Sequence, residues 1–229
     1  MHLRRLSRNA LMWPRNLLRD TPQRTGRLLG VLAAGPPVGQ GALGAWVHAL
    51  ACYLFDLLGG PEVVQFGWRL VTDTRPLTAE EIAAAAAVLG PQAIRYEDVR
   101  IANGGLLRLA FNSNNNRAFC TWHTINLPPE KEKQRSLLVH ELTHTRQYER
   151  VGSVYIGQGL WAQKRAGRKA YDYGGRAGLQ AHLAAGKRYC DYNREQQGQI
   201  AQDYSALVEA GEDTTAYEPF IQELRQGLV

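Results

Sequence analysis

The sequence is poor in the residues that build disulfide frameworks and thiolate metal clusters. It contains three cysteines, Cys52, Cys120 and Cys190, and no two of them have CxxC spacing. An odd number of cysteines without such a pair disfavours both a disulfide framework and a thiolate zinc cluster. Cys120 and His123 in FCTWH are close enough along the chain to ligate one metal. Strand residues with no shared role fit this stretch better.

Long uninterrupted hydrophobic runs are also missing. The run ALGAWVHALACYLFDLLGG includes His48 and Asp56 and extends for only about 17 residues before its glycines, so we expect a buried or surface-lying helix rather than a membrane span. The run LLGVLAAG at residues 28–35 follows a long arginine-rich start and precedes Pro36-Pro37, which disfavours a signal peptide. The compartment stays open between the bacterial cytoplasm and export through a secretion system.

The net charge of +6 is concentrated at the N-terminus. Residues 1–27 contain seven arginines, no lysine and one acid, Asp20, so 7 − 1 = +6, and the rest of the chain has 20 basic and 20 acidic groups. Such a segment is typical of binding to an acidic partner or an anionic membrane surface, with a solvated leader as the alternative. Without lysines or an aromatic repeat, nucleic-acid binding has little support. We interpret residues 1–41 as a basic tail or linker.

The remaining chain predicts an α+β fold. Residues 42–74 form an apolar helical segment, and residues 75–229 form the main domain. Thr78 with Glu81, and Asn193 with Gln196, have the spacing of capping boxes that begin two helices. Runs at residues 99–102, 106–111 and 118–127 predict a small antiparallel sheet. A helix from Pro128-Pro129 through Arg150 follows and carries the motif described next.

The stretch LLVHELTHTRQY contains two histidines one helical turn apart. Residues i and i+4 share a helix face, so His140 and His144 can both direct a nitrogen at one zinc ion. Glu141 lies about 100° round the helix, where its carboxylate can take a proton from a zinc-activated water. A solvated helix face is the alternative, but the apolar neighbours of these residues favour a core-facing helix, in which a metal would offset the burial of charge.

The third protein ligand must come from elsewhere in the chain. Gln147 and Arg150 occupy the positions of glycine and histidine in HExxHxxGxxH, which excludes the metzincin pattern. A His₂Glu site needs a carboxylate from a later helix, and DYNREQQGQIAQDY offers three acids. We predict Glu195 as the ligand and Asp203 as a carboxylate that orients a ligand histidine. Stabilisation of the helix dipole is the alternative role for Glu195.

The ordered set of RPLTAEEIAAAAAVLG, AFCTWHTINLP, LLVHELTHTRQY and YNREQQGQIAQDY resembles zinc metallopeptidases described as Vgr-related or contractile-injection-system core domains. The similarity extends from about Arg75 to Leu224. It implies a gluzincin-like fold with a strand beside the active-site helix, and it implies that NREQQ supplies Glu195 as the third ligand. The segment from Cys120 to His123 departs from the smaller, glycine-containing strand expected in relatives.

These residues predict a Zn²⁺-dependent metallopeptidase that acts on a protein or peptide substrate. A catalytically inactive, metal-stabilised structural or adaptor module of a secretion or envelope assembly is the alternative. Water attack also needs a group that stabilises the oxyanion. Tyr171, Tyr173, His182 and Tyr204 lie in the right part of the chain, although core packing is the commoner role of such residues.

Overall fold

The computed structural model describes residues 2–39, 41–107, 111 and 115–229, with side chains from residue 14 onwards. The fold is α+β, as predicted. The α-helices with both ends among these residues are α1 (His2–Ala34), α2 (Ala42–Leu57), α3 (Gly60–Val71), α4 (Ala79–Leu89), α5 (Arg135–Val151), α6 (Val154–Ala166), α7 (Gly175–Ala184), α8 (Arg194–Ala210) and α9 (Glu218–Gln226). Its strands are β1 (Thr74–Pro76), β2 (Arg100–Ala102), β3 (Phe119–Thr121) and β4 (Thr124–Asn126).

The small sheet has the strand order β1-β2-β4-β3. It is mixed rather than wholly antiparallel, because β2 pairs with β4 in parallel while the other two pairs are antiparallel. The predicted strand at residues 118–127 is a tight hairpin, with Trp122 at a φ of 56° between β3 and β4. The hairpin places β3 at the edge of the sheet. The predicted strand at residues 106–111 lies partly outside the described residues, and Leu107 and Phe111 are helical.

Local sequence signals set the ends of two helices. Thr78 accepts a hydrogen bond from the Glu81 amide, and the Glu81 carboxylate accepts one from the Thr78 amide, which confirms the capping box before α4. Asn193 and Gln196 form the second predicted box before α8. The helix predicted from Pro128 begins later, at Arg135, because residues Pro129–Lys131 form a separate 3-10 turn.

The N-terminal segment is not a free tail. Residues His2–Ala34 form α1, which packs against α2 and α3. Arg24 is 2% exposed and donates to the Glu62 carboxylate and to Tyr148 Oη. Arg19 Nη2 lies 2.8 Å from Asp98 Oδ2. The tail prediction is wrong for these residues, because Arg19 and Arg24 pair with carboxylates of the body. A count of charges alone does not reveal such pairs.

The main core lies between the sheet, α4, α5, α8 and α9. Helices α5 and α8 pack along each other, with Leu142 of α5 and Ile200 of α8 fully buried. Ile125 of β4 is buried in the same cluster. Burial of such side chains stabilises the fold by roughly 1.5–3 kcal/mol each. This packing fixes α8 against the helix that carries HELTH.

Candidate metal centre

His140 and His144 project from one face of α5 into the interface with α8. The two imidazoles are 4% and 8% exposed, and their ring centroids are 5.0 Å apart. The helical repeat alone accounts for the shared face. Their burial shows that this face is the packed one, so the solvated-face alternative for HELTH does not hold.

Glu195 enters from the first turn of α8. Its Oε2 lies 3.6 Å from His140 Nε2 and 3.6 Å from His144 Nε2, and one ligand atom from each residue lies within 4.8 Å of the others. A direct N–H···O hydrogen bond is shorter, at about 2.7–3.2 Å. Zinc–ligand distances near 2.0–2.1 Å in a tetrahedron place ligand atoms about 3.3 Å apart. The three side chains therefore fit around one ion.

The charges of the three groups reinforce each other. Burial favours a neutral carboxyl, but the positive charge of the histidines outweighs it, so the pKa of Glu195 lies well below its ordinary value. Burial also opposes protonation of His144, but the Glu195 carboxylate outweighs that effect and raises the pKa of His144 to about 9. Without a metal, a proton on imidazole compensates the buried carboxylate. A metal ion would take over that compensation.

Glu141 lies beside this cluster with a buried oxygen that has no partner among the described residues. It is 4% exposed, and its Oε2 has no hydrogen-bond partner among the described residues. Burial raises the pKa of Glu141, and the neighbouring Glu195 carboxylate adds to that rise. A buried polar atom without a partner costs free energy unless a ligand or water satisfies it. This carboxylate faces the cavity in which a water could lie.

Gln147 takes the orienting role that we predicted for Asp203. Its Oε1 lies 2.8 Å from His144 Nδ1, while its amide nitrogen donates to Gln197 Oε1 and to the Arg194 carbonyl. Its fixed acceptor therefore selects a proton on His144 Nδ1 and leaves Nε2 to face Glu195. Asp203 instead accepts from Tyr173 Oη and Gln199 Nε2. The prediction for Asp203 is wrong because its helix turns it towards Tyr173.

Two glycines allow the helices to approach this closely. A Cβ at Gly198 in α8 would lie 2.8 Å from the His140 ring, and one at Gly159 in α6 would lie 2.9 Å from Glu195 Oε1. Real Cβ contacts of this length are essentially absent from proteins. Glycine inside a helix costs about 1 kcal/mol relative to alanine. Glycine at an interior helix position, despite that cost, is the sequence signal by which these two positions can be recognised.

The ligand face opens into a cavity of about 440 Å³. Phe119 and Cys120 of β3 line one side, so a strand lies beside the helix that carries HELTH, as expected. Gln163 and Tyr171 line another side. Gln163 Nε2 donates to Glu195 Oε1 at 3.0 Å and to Tyr171 Oη at 3.1 Å. The bond from Gln163 holds Glu195 Oε1, while Glu195 Oε2 faces the two histidines.

Tyr171 is the one of the four oxyanion candidates that reaches the cavity. Its ring lies 6.0 Å from that of His140. The other three are engaged elsewhere: Tyr173 bonds Asp203, Tyr204 bonds Glu218, and His182 bonds Tyr192.

Cys120 and His123 do not act together on a metal in this structure. Burial raises the pKa of the Cys120 thiol to about 12, which disfavours the thiolate that ligation requires. His123 Nε2 lies 2.7 Å from Glu149 Oε1. The histidine therefore belongs to the contact between the sheet hairpin and the end of α5.

Comparison with known proteins relates part of the chain to one family. Curated proteins and solved structures give no significant match. The segment that matches one family model, residues 76–152, contains α4, β2, β3, β4 and α5, and so includes His140, Glu141 and His144 but not Glu195. It is shorter than the resemblance from Arg75 to Leu224, and outside it that resemblance stays a prediction. Residues 76–152 match the family described as the eCIS core domain, the core domain of extracellular contractile injection systems.

Proposed function

We propose that this protein is a zinc-dependent peptidase with His140, His144 and Glu195 as the metal ligands. The observation that supports it best is the convergence of these three side chains at 3.6 Å beside a buried carboxylate with a free oxygen. A zinc ion bound there supplies Lewis acidity, which lowers the pKa of a coordinated water and polarises a carbonyl. The Gln147 contact to His144 and the Gln163 contact to Glu195 hold the ligand atoms in place.

Glu141 is the general base in this proposal. Its unpaired Oε2 takes a proton from the attacking water and later transfers it to the leaving amine. Burial raises the pKa of Glu141 above its ordinary value, which makes its carboxylate a stronger proton acceptor. Glu141 is adjacent to a ligand in sequence, but in this proposal it is not itself a ligand.

Tyr171 is the proposed donor to the developing oxyanion. Its hydroxyl accepts a hydrogen bond from Gln163 and also bonds the Glu195 carboxylate, so a carbonyl oxygen in the cavity would receive the hydroxyl proton in place of Glu195. The edge strand β3 offers backbone groups along which an extended peptide can lie. These features favour a peptide over a small-molecule substrate.

The test is a pair of variants of the full chain. Glu141→Gln should keep one zinc per chain and lose peptide cleavage, whereas His140→Ala should lose the metal, as measured by elemental analysis and a fluorogenic peptide library. Glu212→Gln, at an exposed position after α8, is the matched control and should keep both properties. Absence of stoichiometric zinc from the purified wild-type protein would refute the proposal.

The family match favours a second candidate function. A core domain of a contractile injection system suits a structural or adaptor module in a secretion-like assembly, in which the metal stabilises the α5–α8 interface. In that case the wild-type protein binds zinc without cleaving any peptide. His140→Ala would then lower the thermal stability, and Glu141→Gln would change neither zinc binding nor thermal stability.

A further inference from the structure

Helix α3 has the opposite orientation to that of an ordinary surface helix. Glu62, Gln65 and Arg69, at i, i+3 and i+7, point towards the body. Arg69 donates to Thr124 Oγ1, and Gln65 accepts from the His123 amide. A helix on a water-exposed surface normally buries its apolar stripe and exposes its polar one.

The outer face of α3 is apolar. Val64 is 46% exposed and Leu70 is 49% exposed, and Val63 and Val71 lie beside them. This face therefore presents branched aliphatic side chains at the positions where water contact would favour charged ones.

Helix α2 and the end of α1 also expose apolar side chains, whereas the earlier part of α1 exposes Arg15 and Arg19. Asp56, the charged residue of α2, is buried and accepts from the Ser153 amide at 2.9 Å. Arg24 of α1 is buried against Glu62. The large apolar side chains exposed on the outside of these helices and their connections are Leu18, Leu29, Leu32, Val38, Leu43, Val47, Leu54, Phe55 and Leu58. Since α1, α2 and α3 pack against one another, we call them the inverted layer.

The inverted layer also contains a long segment without charged residues. Residues 28–55 contain no Asp, Glu, Lys or Arg. Among the described residues no single helix is long and apolar enough to cross a membrane, but α2 and α3 pass that test together, with a bend of 68° between them. A bent apolar pair with its charges turned to the protein suits helices that lie in one leaflet.

We propose that the inverted layer binds the apolar region of a lipid bilayer and holds the zinc-site domain at the membrane surface. A protein–protein interface normally carries a polar rim and about one hydrogen bond per 100–200 Å². The charged groups of α2 and α3 instead point inward. The residues that line the cavity beside Glu195 belong to β3, α5, α6, α8 and neighbouring turns, and none of them belongs to α1, α2 or α3.

The structure also separates this proposal from binding through Arg15, Arg19 and Arg24 of α1. Arg15 and Arg19 are partly exposed, yet both lie within 3.3 Å of Asp98, and Arg24 is paired with Glu62. Attraction to anionic lipid is screened by salt, whereas burial of apolar surface is not. Binding through the inverted layer should therefore require no anionic lipid and should persist at high salt.

Flotation of the full-length protein with vesicles tests this inference. The vesicles are pure phosphatidylcholine, or an equal mixture of phosphatidylcholine and phosphatidylglycerol, each at low and high salt. Val64→Asp and Leu70→Asp should each reduce the bound fraction more than tenfold. Val208→Asp and Leu183→Asp are matched controls, at 48% and 45% exposure on α8 and α7, and should float like the wild type.

Circular dichroism and zinc content report the folding of each variant independently of lipid. Salt-resistant binding to both vesicle types that is lost only in the two layer variants supports the proposal. Binding to anionic vesicles alone that disappears at high salt would assign the contact to the arginines and overturn it. A folded protein that floats with neither vesicle, and that self-associates or binds a protein through Val64 and Leu70, would also overturn it in favour of a protein interface.

Discussion

Gln147 Oε1 lies 2.8 Å from His144 Nδ1, three residues earlier on the same helix. The glutamine is fully buried and is itself held by Gln197 Oε1 and the Arg194 carbonyl. The contact links α5 to α8 and fixes which nitrogen of His144 faces Glu195. The residue that excludes the metzincin pattern thus orients a histidine of the candidate metal centre.

Replacement of Gln147 by leucine should weaken zinc binding by about 10–100-fold, because the His144 ring loses the acceptor that fixes its tautomer. The zinc dissociation constant, measured by competition with a chelator, checks this. Thr143→Val removes a buried hydrogen bond to the Val139 carbonyl on the same helix and should leave the affinity unchanged. Equal affinities in Gln147→Leu and the wild type would contradict the assigned role.

Gly198→Ala should lower zinc affinity and cost about 1–3 kcal/mol in the free energy of unfolding, because the new methyl group would overlap the His140 ring. A Cβ atom at Gly67 in α3 would have no other atom within 4 Å, so Gly67→Ala is the matched control. That control should be neutral or stabilising. Denaturant unfolding with and without zinc measures both effects, and unchanged zinc affinity in Gly198→Ala would show that the ring is free to move.

Zinc affinity should rise by about tenfold per pH unit up to about pH 9, because the ion must displace a proton from His144. In the metal-free protein the pKa of His144 is raised from 6.5 to about 9. Its contribution to stability is therefore fully present below pH 6.5 and is lost as the pH rises through 9. Thermal unfolding of the metal-free protein between these values measures it. Glu195→Gln removes the charge that raises this pKa and should flatten the dependence.

Arg24→Met should destabilise the fold by roughly 3–5 kcal/mol, because it leaves the Glu62 carboxylate buried without its cation. The double variant with Glu62→Met should recover most of that loss. Zinc stoichiometry should stay at the wild-type level in both, since the cavity is lined by residues outside α1. If Arg24→Met is as stable as the wild type, the buried pair of Arg24 and Glu62 contributes little to the stability of the fold.

Local patterns were enough to predict several parts of the fold. The two capping boxes depend on residues three apart, and the shared face of His140 and His144 depends on residues four apart. The helical repeat converts such spacings directly into geometry. The start of α5 was predicted too early because Pro129 begins a separate turn, and the sequence alone did not show where that turn ends.

The sequence by itself determined the HELTH face and offered Asp191, Glu195 and Asp203 as carboxylates. Only the packing of α8 on α5 decided among them, because side chains far apart in sequence meet according to the buried surfaces of whole helices. The same cause explains the paired arginines of α1 and the outward apolar face of α3. Charge and hydropathy are properties of residues, whereas the partner of a charge and the side of a helix that meets solvent are properties of the tertiary structure.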